Sequence, residues 1–198
     1  MIKKACSVFL AGLGLLAFLG CQHRESPRET ADDFHPALDM PREEAETPEA
    51  LADQDFLIQA AQANLSEVEL GRLAERKSTI ADVRSFGLHM VDDHSASMAE
   101  LTKLAQKKGI RLPTGPDESQ KKEAARLSEK KGGDFDKEYI RMMVADHVQA
   151  VALFKEQADH AAEPDVRSWA EATLPTLRDH LRMARDLDAR IGGYGAPN

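Results

Sequence analysis

From residue 51 onward, apolar residues recur at intervals of three and four, the spacing of helices that each bury one stripe. The first such segment runs from about Leu51 to Arg76 and aligns Phe56, Ala60, Ala63, Glu67, Leu70 and Ala74. Thr79-x-x-Asp82 then has the form of a capping box, which predicts the start of a second helix. That helix carries Val83, Phe86, Met90, His94, Leu101 and Ala105 on one face and stops near Gly109, before the turn Pro113-Thr114-Gly115-Pro116. Residues 117–131 are densely charged and predict a short solvated helix within a longer connection. Gly132-Gly133 breaks it, with Asp134 or Asp136 placed to cap the next helix. The third long stripe is Phe135, Tyr139, Met143, His147, Val151 and Phe154. Glu163-Pro164-Asp165 opens the fourth, Pro164 suiting a first turn, and its stripe runs from Val166 through Ala170, Leu174, Leu177, Leu181, Ala184 and Leu187 to Ile191. Pro175 falls inside this helix and is read as a tolerated bend.

Four stripes of this length are buried together most simply in an antiparallel bundle. Strand signals are missing: there are no alternating β-branched runs and no Asn-Gly or Asp-Gly hairpin turns. Short links join the first pair of helices and the second pair, while about 25 residues separate the pairs. The expected fold is therefore all-α: an antiparallel four-helix bundle, ferritin-like, with one long crossover between helices 2 and 3.

The chain ahead of the bundle reads differently. Residues 1–20 combine Lys3 and Lys4 with an uncharged, mostly apolar run, which is the pattern of a secretory signal peptide and is short for a membrane span. Its end, Ala17-Phe18-Leu19-Gly20-Cys21, resembles a bacterial lipobox with phenylalanine in the usual leucine place, so Cys21 is the expected lipidation site. Residues 21–50 are polar and hold Pro27, Pro36, Pro41 and Pro48, a composition that suits a tether. The expected organisation is signal peptide 1–20, tether 21–50, bundle 51–192 and tail 193–198. The implied partner is the membrane, through a lipid on Cys21. Gln22 after that cysteine makes the outer membrane the default destination in a host with two membranes.

Charge and cysteine usage exclude several functions. The formal charge of −8 becomes −10 once Lys3 and Lys4 leave, and only 5% of residues are aromatic, so nucleic acid is not an expected partner. Cys6 leaves with the signal and Cys21 takes lipid, which leaves neither a disulfide nor a cysteine-based zinc site. The chain also lacks a Gly-x-Ser-x-Gly elbow, a phosphate loop and a dinucleotide fingerprint.

What chemistry the chain carries lies in three Asp-His pairs. Met90-Val91-Asp92-Asp93-His94 recurs almost unchanged as Met143-Val144-Ala145-Asp146-His147, and Asp179-His180 follows in the last helix. Glu67, His94, His147 and His180 come from four helices near mid-length, so they can meet at one depth. One carboxylate with three imidazoles suits a transition-metal ion such as Zn, Fe or Cu. Asp93, Asp146 and Asp179 can orient histidines from neighbouring helices, or Asp93 and Asp146 can be ligands themselves. The competing reading is a non-catalytic envelope protein in which the same groups form a metal-free polar network that fixes helix register. His89 and His160 fall off the stripes and read as surface residues. Met90 and Met143 read as core filler, and His23 and His35 lie in the tether. Di-iron chemistry is not supported, because no Glu-x-x-His element precedes His94, His147 or His180.

Four stretches resemble a large bacterial domain-of-unknown-function family (DUF4142) of exported proteins often assigned to the outer membrane. They are Ala60 to Ala74, His89 to His94, Val144 to His147, and Leu174 to Leu181, and the similarity covers about residues 53–189. The resemblance implies a ferritin-like bundle behind a signal peptide or lipid anchor, and it implies no reaction. The family's motif positions fall here on Glu67 or Glu69, Asp93, His94, Asp146, His147 and His180. Glu67 shares the stripe with Phe56 and Ala60 and is the expected inward carboxylate.

Overall fold

A computed structural model describes residues 47–193. The signal segment, Cys21, most of the tether and residues 194–198 lie outside the described residues. Five helices make up the described chain: α1 Pro48–Lys77, α2 Ala81–Lys107, α3 Glu118–Glu129, α4 Gly132–His160 and α5 Pro164–Gly193. No strand occurs among the described residues. None of these helices is long and apolar enough to cross a membrane.

Helix ends are set by local chemistry that the sequence only partly advertises. α1 starts three residues before the expected boundary, because Pro48 suits a first turn and the Thr47 hydroxyl accepts the Ala50 N–H at 3.2 Å. The capping box expected at Thr79-x-x-Asp82 is not formed. Ile80 occupies the cap position of α2, and Thr79 instead donates its hydroxyl to Asp136 Oδ2 at 2.6 Å, tying the start of α2 to the start of α4. A true capping box opens α3, where Asp117 and Gln120 exchange hydrogen bonds of 2.8 Å. Neither Asp134 nor Asp136 caps α4, which already begins at Gly132. Gly132 has φ +53°, a left-handed conformation that lets the chain reverse sharply after α3.

Three contacts fix the directions of the four long helices. Asp53 near the start of α1 accepts the N–H groups of Ala162 and Glu163 at the end of α4. Arg190 near the end of α5 pairs with Asp82 at the start of α2, at 2.9 Å. The Asp136–Thr79 bond sets α2 and α4 side by side at their starts. Neighbours α1–α2, α2–α5, α5–α4 and α4–α1 therefore run antiparallel. The connection after α2 returns the length of the bundle, with α3 packed on α1 and α4. This is the expected four-helix bundle with one long crossover, plus a short helix riding on that crossover.

α1 and α2 approach very closely at one level. A Cβ on Gly71 of α1 would lie 2.5 Å from the Gly87 carbonyl oxygen of α2, and one on Gly87 would lie 2.8 Å from the Gly71 carbonyl oxygen. Backbone meets backbone there, and no larger residue fits. The apolar core forms two clusters. One gathers Phe56, Leu101, Phe154, Trp169 and Leu177, and the other Leu70, Phe86, Met90, Tyr139, Met143 and Leu187. Between them lies a buried polar layer of Asn64, Glu67, His94, His147 and His180.

Candidate metal centre in the polar layer

Each histidine of the layer comes from a different helix and sits within two residues of its midpoint: His94 on α2, His147 on α4 and His180 on α5. All three are at least 95% buried. One ring nitrogen from each lies within 4.8 Å of the others.

The partners of the remaining nitrogens assign the protons. His147 Nδ1 lies 2.9 Å from the Met143 carbonyl, which can only accept, so this nitrogen carries the N–H. His94 Nδ1 lies 2.9 Å from Asn64 Oδ1, whose amide nitrogen in turn donates to Ser97 Oγ at 3.2 Å. Again Nδ1 is the donor. His180 Nε2 faces Asp93 Oδ2 at 2.8 Å and donates to that carboxylate. Three N–H groups thus point outward to a carbonyl, an amide oxygen and a carboxylate. Three lone pairs remain inside, on His94 Nε2, His147 Nε2 and His180 Nδ1.

This inner arrangement is unsatisfied by the protein alone. His94 Nε2 is buried without a hydrogen-bond partner. His147 Nε2 and His180 Nδ1 stand 3.2 Å apart, two lone pairs facing each other in the buried layer. Either a proton or a metal cation between them resolves the repulsion. Burial disfavours the proton. It lowers His94 well below the usual imidazole range, with His147 and His180 adding to the effect. It lowers His147 to about 4, His180 again contributing. His180 is lowered too, chiefly by burial, although Asp93 pulls it back up.

Distances suit a metal. Imidazole nitrogens bound at about 2.0–2.1 Å in a tetrahedral set stand about 3.3 Å apart. The His147–His180 spacing already matches, and the widest pair needs to close by about 1.5 Å at most. A largely enclosed cavity of about 70 Å³ adjoins the three rings, lined also by Asn64, Glu67 and Asp146.

The carboxylates take separate places. Asp93 binds the outer edge of His180 and lies outside the three-nitrogen cluster. Glu67 is buried and Glu69 exposed, which settles the inward position. Glu67 Oε1 is 4.0 Å from His147 Nδ1, on the far side of that ring from Nε2, and its Oε2 is buried without a partner. Burial, with Asp146 nearby, raises Glu67 well above the usual carboxyl range. Asp146 is half-buried and raised to about 6 by desolvation and by Glu123. Asp179 is exposed and pairs with Arg182, so it orients no histidine, contrary to expectation. His160 is exposed, as its place off the stripe predicts.

Two residues of the arrangement were missed in the sequence. Asn64 stands one turn before Glu67 on the same face of α1, a spacing that could have flagged it. His89 stands one turn before Asp93, and its Nε2 reaches Asp93 Oδ2 at 3.3 Å.

The profile of the family described as "Domain of unknown function (DUF4142)" matches residues 39–187. No curated protein matches the chain in sequence. Solved structures similar in fold include a DUF305 fragment from Deinococcus radiodurans, with 20% identity and a TM-score of 0.63 over 73% of this chain and 97% of that one. A protein of Streptomyces coelicolor, described as a secreted DUF305 protein, is similar at 15% identity and TM-score 0.62, over 71% and 92%. CopM in its Cu(II)-bound form is similar at 16% identity and TM-score 0.59, over 70% and 96%.

Proposed function

We propose that this chain, which belongs to the DUF4142 family, is an exported protein that binds one transition-metal ion through His94, His147 and His180. The observation that carries this reading is the convergence of three inward lone pairs whose outer N–H groups are each held by a separate acceptor. Metal-ligating histidines characteristically have such acceptors, which fix the tautomer and raise ligand basicity. No group of the protein pairs His94 Nε2, so a purely structural network would need a partner from outside the chain for it.

Three imidazoles with an open fourth position favour Zn, Cu or Fe. A neighbour in fold, CopM, is described in a Cu(II)-bound form, which makes Cu(II) the first ion to test beside Zn(II). Asp93 orients His180, while Glu67 and Asp146 line the chamber from behind His147. The proposed role is binding, for buffering or protection of the envelope, without turnover. Export is supported by the signal-like residues 1–20 and by the similar fold described as secreted. A lipid on Cys21 would hold the bundle at a membrane, by default the outer one.

The test is metal content of the protein purified without chelator, followed by Cu(II) and Zn(II) titration, beside the His94→Ala/His147→Ala variant. About one tightly held equivalent in the parent, with tight binding lost in a variant that keeps its helical circular dichroism, supports the site. Failure of the parent to hold either ion after reconstitution would leave the layer as a structural network.

A further inference from the structure

The outer edge of His180 belongs to a second cluster. His89 Nε2 lies 3.3 Å from Asp93 Oδ2, and His180 Nε2 lies 2.8 Å from the same oxygen. One ligand atom from each of the three residues falls within a 4.8 Å group, apart from the buried trio and sharing only His180 with it. The rings of His89 and His180 are 5.8 Å apart and nearly perpendicular. The two clusters differ sharply in exposure. The His89 side chain is 53% exposed and that of Asp93 35%, against 1% for His180. His89 also lines an open groove of about 440 Å³ between α2 and α5. His180 therefore presents Nδ1 to the largely enclosed chamber and Nε2 to a solvent-facing pair of donors.

We infer that His89, Asp93 and His180 Nε2 form an outer capture site for a divalent transition-metal ion, from which the ion passes through His180 to the buried site. The second step rests on the proposed function above. The capture site itself does not. Two imidazoles and a carboxylate are a sufficient donor set for a borderline cation, and one solvent-accessible histidine allows it to exchange ligands with water. A neutral imidazole offers one lone pair, so His180 serves one site at a time. With the ion outside, Nδ1 carries the N–H and donates to His147 Nε2. With the ion inside, Nε2 carries it and donates to Asp93. The outer site is thus a waypoint, and the protein holds one ion at equilibrium.

His89→Ala changes a half-exposed side chain and leaves the buried trio intact. Stopped-flow transfer of Zn(II) from a chromophoric indicator is expected to slow by about tenfold in this variant, with the final affinity unchanged. Equal loading rates would overturn the relay. In the His94→Ala/His147→Ala background, calorimetry is expected to find one weaker Zn(II) equivalent that disappears when His89→Ala is added. Finding no such equivalent in the well-folded double variant would overturn the capture site. A parent that fails to hold Zn(II) tightly, while the weak His89-dependent equivalent persists, would instead defeat the buried-site reading and leave the outer one standing.

Discussion

Replacing Asn64 separates a metal ligand from a structural histidine more cleanly than replacing a histidine does. Asn64 Oδ1 is the acceptor for His94 Nδ1–H at 2.9 Å, within the buried polar layer. Asn64→Leu keeps the branched shape and heavy-atom count of the side chain and removes the acceptor. The buried N–H then lacks a partner, which costs the metal-free fold about 1–3 kcal/mol. It also frees the ring to tilt or change tautomer. Loss of such an orienting partner weakens metal binding by about 10–100-fold, or about 1.4–2.7 kcal/mol. Asn64→Asp restores an oxygen at the same place and should return affinity to near the parent's, with the Ser97 hydroxyl donating where it now accepts. Urea denaturation without metal measures the first quantity, and competition with a chromophoric chelator for Cu(II) or Zn(II) measures the second. If Asn64→Leu lowers stability as expected and yet binds with the parent's affinity, His94 is not a ligand and the geometric argument fails.

Three further outcomes follow from the structure. Asp146 has its folded pKa raised from 3.8 to about 6, so its contribution to stability is present below pH 4 and lost as pH rises through 6. Asp146→Asn should therefore stabilise the metal-free protein at pH 7 by about 1–2 kcal/mol, part of the full shift being screened by water, with no gain at pH 4; paired urea titrations check this. Gly87→Ala should destabilise by about 1–3 kcal/mol and lower the thermal midpoint, since its methyl would meet the Gly71 carbonyl oxygen and Ala74 Cβ at under 3 Å. Asp53→Ala strips the acceptor from the Ala162 and Glu163 N–H groups just ahead of α5, and a loss of about 1–3 kcal/mol by chemical denaturation is expected.

The architecture was legible because a stripe of apolar residues states both a helix and its inward face. Phe56, Val83, Phe135 and Val166 are all buried where the spacing places them. The same rule found His94, His147 and His180, polar residues lying on apolar stripes. It placed His89 correctly at the surface, but position off the stripe reports solvent exposure and not reach, and an exposed imidazole can still extend to a carboxylate one turn on. Asn64 was passed over because its spacing from Glu67 marks an inward position, while an amide side chain names no chemistry until a partner is seen. Thr79 misled for a different reason. A capping box is a local motif, and Asp136, 57 residues away, competed successfully for the hydroxyl. The near approach of Gly71 and Gly87 depends on two helices meeting at one depth, which no single stripe records.

The polar layer draws His94 and Asn64 from the first hairpin, and His147 and His180 from the second. An ion coordinated there would act as a clasp across the seam between two halves that are otherwise joined by side-chain packing, the crossover and a few polar contacts nearer the bundle's ends. Its loss would leave each hairpin's internal contacts intact and weaken only the docking of one on the other. Hydrogen exchange would then report two breathing units whose mutual opening, and not their separate unfolding, follows the metal supply.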